Sequence, residues 1–396
     1  MSSNRLWDKG VSLDEQILKF TVGSDYLLDA RLLPFDVIAS AAHAKMLQKM
    51  GYLRSDELEK LLAALDEIDT EFSQGKWQIT LEQEDCHTAI EQKLTEKLGD
   101  LGGKIHLGRS RNDQVLTAIR LYLRSEIASI LNLKSKVEAA LLILASEQGD
   151  IEIPGYTHTQ QAMPSSVELW AEAFASEMRS CDVLLNAADE LASECPLGSA
   201  AGYGTPGLQL DREFTAELLG FSCPQEPVTA VQLSRGRAES ALAFAIVQIL
   251  GIVGRMSADV CLFASQEFGF LKLADDISTG SSIMPQKRNP DVFELLRAQV
   301  SQAAADFQAI LSLTFGLSSG YHRDLQLMKE PLFRIIDRAR ASLAISAHAI
   351  SRITFDPVRA KEVTSPEIHA AERAFALVQQ EGISFREAYK RVGEKG

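Results

Sequence analysis

Hydrophobic positions recur at intervals of three and four along most of this chain. Residues 114–148 contain neither proline nor glycine, and Val115, Leu116, Ile119, Leu123, Ile127, Ile130 and Leu131 mark one side of an amphipathic helix. At 1.5 Å per residue that helix would be roughly 50 Å long. Further runs free of both residue types cover 165–195, 291–315 and 332–356, while 237–268 carries only Gly251 and Gly254. These segments predict five long helices, and helices of that length pack best as a near-parallel bundle. The stretch SALAFAIVQILGIVG, residues 240–254, is apolar on most sides, so it is expected inside a multi-subunit bundle.

The flanks read differently. The first hundred residues alternate turns with shorter helices, such as 55–72. After Phe355-Asp356-Pro357 a short segment begins in which Ser365, ahead of Pro366 and Glu367, suits a helix start. The expected organisation is all-α: an N-terminal helical domain at 1–108, a central long-helix bundle at 109–354, and a short C-terminal helical domain at 355–396. Strand signals are almost absent, and no repeat or low-complexity tract occurs.

Composition narrows the function classes. A chain of 396 residues with 46% hydrophobic content can bury a large core. Forty Lys and Arg against 54 Asp and Glu leave a formal charge of -14. That balance argues against nucleic acid or an anionic membrane as partner, so cations that meet an anionic substrate must be gathered locally. Five scattered cysteines show no C-x-x-C pair and no zinc spacing, which fits reduced thiols, no metal site and a cytoplasmic setting. The opening MSSNRLWDKGVSLDEQ lacks a signal pattern, and no window reaches the ~18 consecutive apolar residues of a spanning helix.

Four polar islands interrupt the helical pattern. In GGKIHLGRSRNDQ, Ser110, Arg111 and Asn112 stand at the start of the longest helix, where side chains and backbone N–H groups could bind a carboxylate. A capped helix with solvated charges explains the same residues equally well. IPGYTHTQQAMP sets His158 in a turn between prolines, beside Thr157 and Gln160; histidine is a natural proton carrier, though a lone one is more often structural. CPLGSAAGYGTPG holds four glycines, Gly198, Gly202, Gly204 and Gly207, which imply close backbone approach, yet no nucleotide-loop pattern is present. GSSIMPQKRNPD, residues 280–291, combines serine hydroxyls with Lys287 and Asn289 as donors suited to an anion.

That last island resembles the signature loop of the fumarase/aspartase superfamily, whose members eliminate fumarate from succinyl-bearing substrates. Within the superfamily, GRSRNDQ, PGYTH and the run from QEFGF to STGSSIMPQK are similar to the argininosuccinate lyase family. So are RLW near the start, EDCHTAIE at 84–91, CPLG, DREF at 211–214, YHRDLQ at 321–326 and FREAYKRVG near the end. The likeness covers essentially the whole chain.

The resemblance implies a β-elimination that splits argininosuccinate into arginine and fumarate, in arginine biosynthesis, without metal or organic cofactor. It also implies a homotetramer in which each site draws on three subunits. Ser281 takes the place of the family's general base, acting as an alkoxide. Lys287 and Asn289 match its carboxylate-binding pair, His158 the second-half histidine, and Glu294 the acid that orients it. Ser110, Arg111, Asn112, Thr157, Tyr321, Gln326 and Lys329 match substrate contacts. Asp85 and His87 fall near the arginine end of the substrate or the site wall.

Departures from the family pattern collect at that arginine end. His322 replaces an asparagine, Leu327 and Met328 replace an acidic pair, and Ser234-Arg235-Gly236-Arg237-Ala238 stands where the family usually reads SDRDF. An N-terminal serine that contacts substrate falls near Ser24 or Asp25. Two alternatives stay open here: adenylosuccinate lyase, whose loop also contains K-R-N-P, and a structural, crystallin-like protein on the same fold.

Overall fold

A computed structural model describes residues 14–394; the RLW motif at Arg5, Leu6 and Trp7 lies outside them. The long helices are Arg111–Gln148, Arg237–Phe263, Asp291–Ser312 and Lys329–Ile350, with Val167–Ser180 and Asp182–Ala192 in succession. Their apolar stripes are the ones the spacing predicts. On the first, Leu116, Ile119, Leu123, Ile127 and Ile130 are each 2% exposed or less. On the second, Leu242, Ile246, Ile249, Leu250 and Val253 are equally buried. The stretch Ala230–Phe263 is long and apolar enough to cross a membrane, yet 56% of its most apolar window is buried inside the protein, as in a core helix.

The run 165–195 is two helices rather than one. At the break the Glu177 carbonyl is taken by side chains: Ser180 Oγ donates to it at 2.7 Å and the Cys181 thiol at 3.6 Å. The Cys181 N–H turns to the Met178 carbonyl instead. Local side-chain bonds of this kind compete with the helical ladder and leave no proline or glycine in the sequence to announce the break.

The chain divides into two compact units. The first takes the N-terminal segment through Ala128, with Leu184–Ala245 and Ala305–Ile336. In it the helices Leu33–Lys49, Ser55–Ser73 and Cys86–Leu98 pack together over Leu47, Leu61, Leu65, Ile68 and Leu94, all 1% exposed or less. The start of the Lys329–Ile350 helix is tied to the N-terminal segment by a buried ion cluster. Lys329 Nζ reaches Asp25 Oδ2 at 2.9 Å and also contacts Asp29 Oδ1. Asp29 in turn accepts the Cys86 N–H at 3.2 Å, which draws in the start of a third element.

The second unit takes Ser129–Val183, Ile246–Ala304 and the chain from Asp337 onward. Trp170, Phe263, Phe270 and Phe355 form an aromatic cluster there, with Phe263 and Phe270 centroids 4.7 Å apart. Trp170 Nε1 donates to Asp259 at 3.0 Å, which satisfies the indole inside that cluster. Ser365 caps Pro366–His369 through its hydroxyl, and the helix Ala370–Glu381 follows directly.

Short two-stranded ribbons occur where the sequence carries little strand signal. The largest pairs Glu152–Thr157 with Gln160–Ser166 and contains Pro154 opposite Pro164. A free two-stranded ribbon tolerates proline because its outer edges need no donor. The connection is only His158-Thr159, both with positive φ, 51° and 61°. That is the backbone of a mirror-image hairpin turn, which normally selects Asn-Gly. A β-branched threonine there is strained.

Lys329→Met strands two carboxylates in a buried site and should lower unfolding free energy by about 3–5 kcal/mol, read from denaturant titration. Asp29 and Asp25 outweigh burial and raise the Lys329 pKa. Its stability contribution is therefore complete below the unfolded-state value near 10.5 and fades only at higher pH, a decline the variant should lack. Thr159→Gly removes the Cβ penalty at positive φ at the cost of chain entropy. A net gain of about 0.5–1 kcal/mol is expected, and a lowered thermal midpoint would contradict it.

Candidate functional site

Within the first unit, one pocket gathers six of the predicted residues: Asp85, His87, Arg111, Tyr321, Gln326 and Lys329. Each is held by its local structure. Asp85 is the N-cap of Cys86–Leu98, accepting from Thr88 N and Thr88 Oγ1, both at 2.8 Å. Burial opposes its charge, but His87, Arg111 and these bonds hold the carboxyl below its ordinary range. Arg111 opens the longest helix and bridges Glu84, Asp85 and Thr88, with Thr88 Oγ1 at 2.7 Å. His87 Nδ1 lies 2.9 Å from Asp36 Oδ2. Burial would favour the neutral ring, yet Asp36, Asp85 and Asp29 together hold its pKa above the ordinary value. Gln326 donates to the Thr21 and Val22 carbonyls at 3.0 and 3.2 Å.

Ser110 and Asn112 sit at the same helix start, outside the lining of this pocket. Ser110 Oγ accepts the Asn112 N–H at 3.3 Å, and Gln232 Nε2 donates to the Asn112 carbonyl at 3.2 Å. Beneath them is Asp113, fully buried and unremarked in the sequence. Its carboxylate accepts from Ser110 N at 2.9 Å, Gly198 N at 3.0 Å and Ala200 N at 2.8 Å. Burial pushes this carboxyl up to about 6 against those bonds. The glycine island thus clasps an aspartate rather than a phosphate, with Ala200 itself at φ 50°. Sequence reasoning gave no role to Glu84 and Arg323, which line the pocket with Asp25 and Arg235, because a motif does not show which of its residues face a common pocket.

The second unit holds the other predicted residues. Thr157 and His158 lie exposed at the end and tip of the hairpin. The signature loop closes on a neck in which Thr279–Gly280 pairs with Arg288–Asn289. Asn289 Nδ2 donates to Thr279 Oγ1 at 3.4 Å, and Thr279 Oγ1 bonds Asp291. Inside the loop, Ser281 Oγ accepts backbone N–H groups from Ile283 at 3.3 Å and Met284 at 3.1 Å. Lys287, Asn289 and Glu294 line one pocket with Arg297. Lys287 has no carboxylate partner among the described residues, and no hydrogen bond or ion pair joins His158 to Glu294 within the chain.

The chemistry on offer is polar and ionic. The loop provides a hydroxyl whose oxygen faces two N–H donors, which favours its anion, and the same loop carries the Lys287 ammonium. The first-unit pocket provides fixed cations and carboxylates in near balance. Asp29, Cys86 and His87 bring potential metal-ligand atoms within 4.8 Å of one another. Their chemistry does not suit a metal: Asp29 is bonded to Lys329, His87 to Asp36, and burial with the neighbouring carboxylates raises the Cys86 thiol well above its usual range.

Comparison with known proteins places this geometry in a family. A family profile described as "Lyase" matches residues 14–304. The chain is 42% identical over 393 residues to an argininosuccinate lyase of Thermotoga neapolitana, covering 99% of this chain and 98% of that one. It is also 42% identical to one from Phocaeicola vulgatus, covering 99% and 87%. Among solved structures, an EDDS lyase variant with bound fumarate superposes with a TM-score of 0.81 at 23% identity, covering 97% of this chain and 76% of that one. A class II fumarase from Schistosoma mansoni gives 0.77 at 19%, covering 95% and 87%. These two likenesses speak to the fold, which is all-α and fumarase/aspartase-like. On its profile match and on relatives that share two residues in five over nearly the whole chain, this protein belongs to the lyase family and, within it, to the argininosuccinate lyases.

Proposed function

We propose that this chain splits argininosuccinate into arginine and fumarate by β-elimination, with Ser281 as the general base. The observation that carries the base assignment is the pair of backbone N–H groups on Ser281 Oγ. An ordinary serine hydroxyl is far too weak an acid to serve, and donors aimed at its oxygen stabilise the alkoxide. The alkoxide removes a proton from the carbon beside a substrate carboxylate. The electron pair passes into that carboxylate as an aci-anion, held by Lys287 and Asn289. Collapse to fumarate breaks the carbon–nitrogen bond, and the leaving guanidine nitrogen takes a proton from His158, which Glu294 orients.

On this reading the arginine end lies in the first-unit pocket, against Asp85, His87, Tyr321, Gln326 and Lys329. Ser110, Arg111, Asn112 and Thr157 contact the rest of the substrate. His158 and Glu294 carry no mutual bond within one chain, which suits a site completed by other copies. Leu169, Val183, Phe244, Leu262 and Leu295 are 40–72% exposed on the long helices, which suits a homotetrameric bundle. The division at 1–108, 109–354 and 355–396 is part of the same reading. It is supported by short helices that end at His106, before the long helix begins at Arg111. All five cysteines are free, in keeping with a cytoplasmic enzyme.

The deciding assay follows fumarate release from argininosuccinate by its absorbance, with adenylosuccinate run in parallel. Turnover of adenylosuccinate alone would sink the assignment. Ser281→Ala should lower kcat at least about 100-fold while the oligomer stays intact. Wild-type turnover in that variant would remove Ser281 as base. If sites are shared between copies, inactive Ser281→Ala and Asn112→Ala chains that are unfolded together and refolded should regain part of the activity. Mixtures as inactive as their components would argue for sites built from one chain.

A further inference from the structure

Arg235 differs from every other cation in the first-unit pocket. Lys329 faces Asp25 and Asp29, Arg111 faces Glu84 and Asp85, and Arg323 reaches Glu84 at 3.9 Å as well as the Thr21 carbonyl at 2.9 Å. Arg235 is 5% exposed and lines the same pocket, yet its guanidinium meets no acceptor among the described residues. Nε and Nη1 are sealed from solvent without a hydrogen bond among the described residues, and Cζ lies over the Tyr321 ring, 5.9 Å from its centroid. A guanidinium so enclosed is poorly accounted for until an anion joins it.

The backbone on either side is clamped. Arg120 Nη2 donates to Ser234 Oγ at 2.7 Å, and Ser234 Oγ donates to the Val231 carbonyl at 2.8 Å. Gly236 has φ +86°, donates to Glu239 Oε2 at 3.0 Å, and would push a Cβ to 2.3 Å from Thr314 Cγ2. The arginine is therefore presented by a stretch with little freedom to retreat.

Asp25 is its complement on the pocket wall. It is 9% exposed; Oδ2 is bonded to Lys329, while Oδ1 is buried with no donor among the described residues. Because Lys329 faces two carboxylates, that corner carries an excess of negative charge. One pocket thus holds an unmatched cation and an unmatched carboxylate oxygen, the arrangement that recognises a zwitterion.

We propose that Arg235 and Asp25 are the specificity-determining residues for the α-amino-acid head at the arginine end of the substrate. Arg235 takes the α-carboxylate as a forked pair and Asp25 Oδ1 takes the α-ammonium. This rests on the reading that the pocket receives the arginine half of argininosuccinate.

The test is calorimetric titration of the full chain in its native oligomer, so it does not depend on turnover. The probes are L-arginine, agmatine, which lacks the carboxylate, and the 2-hydroxy analogue, which lacks the ammonium. Wild type should prefer arginine over agmatine by about 10–100-fold. Arg235→Gln should bring the two within about two-fold, because its amide cannot replace a charged fork. Asp25→Asn should erase the preference over the 2-hydroxy analogue and leave that over agmatine. Arg235→Lys keeps the charge without the fork and serves if the glutamine variant does not fold; a partial loss of preference is expected. Wild type without preference, or an unaltered preference in either Arg235 variant, overturns the proposal. Argininosuccinate cleaved with that preference unaltered in the variants defeats this inference alone. Argininosuccinate left uncleaved, with discrimination that depends on Arg235, defeats the reaction assignment alone.

Discussion

The ion cluster of Lys329 with Asp25 and Asp29 is the constraint on which the first-unit pocket depends. It is almost wholly removed from water, and it joins residues some 300 positions apart in sequence. A buried pair of this kind contributes less to net stability than its geometry suggests, because desolvation offsets much of the attraction. Its consequence is positional. Lys329 begins a long helix, Asp29 receives the Cys86 N–H, and Asp85, one residue earlier, caps the helix that presents His87. If the lysine moves, the carboxylates and the His87 ring lose their common reference.

Oxygen atoms held by backbone N–H groups recur in two settings with opposite demands. Asp113 is enclosed and accepts three such bonds, so the Ser110–Asn112 turn and the glycine island are fixed to one carboxylate. Ser281 accepts two, but on an exposed loop whose Ile283 is 86% exposed. The first arrangement suits a scaffold. The second leaves an oxygen favoured as an anion within reach of solvent, on a loop joined to the protein by a narrow two-stranded neck. The strained His158-Thr159 turn belongs with the second kind: its unfavourable backbone thrusts a histidine outward from a short ribbon.

Legibility varied with the range of the interaction. The stripes of the Arg111–Gln148 and Arg237–Phe263 helices, the cap at Ser365 and the start at Asp291 were readable because each depends on neighbours within a turn. The helix break at Cys181 was not, because ordinary helix-compatible residues make it by redirecting one carbonyl. The hairpin around His158 was hidden by Pro154, Pro164 and a turn lacking Asn-Gly. Among candidate site residues, those inside motifs are legible: Asp85 and His87 in EDCHTAIE, Arg111 in GRSRNDQ, Ser281 and Lys287 in the signature loop. Asp25 and Arg235 fall where the family pattern is not matched, and Asp113, though inside GRSRNDQ, gives no sign in sequence of the Gly198 and Ala200 N–H groups that meet it.

The sequence by itself thus determined the all-α class, the long amphipathic helices, the family and the motifs that hold the candidate site residues, because periodicity and motif identity are written in consecutive residues. Only the tertiary structure decided which charges are matched. It showed that the glycine island encloses Asp113, that Lys329 answers to Asp25 and Asp29, and that Arg235 is left with no acceptor among the described residues. The physical reason is that pairing and desolvation depend on distance in space, and the residues concerned come from segments as far apart as Asp25 and Lys329.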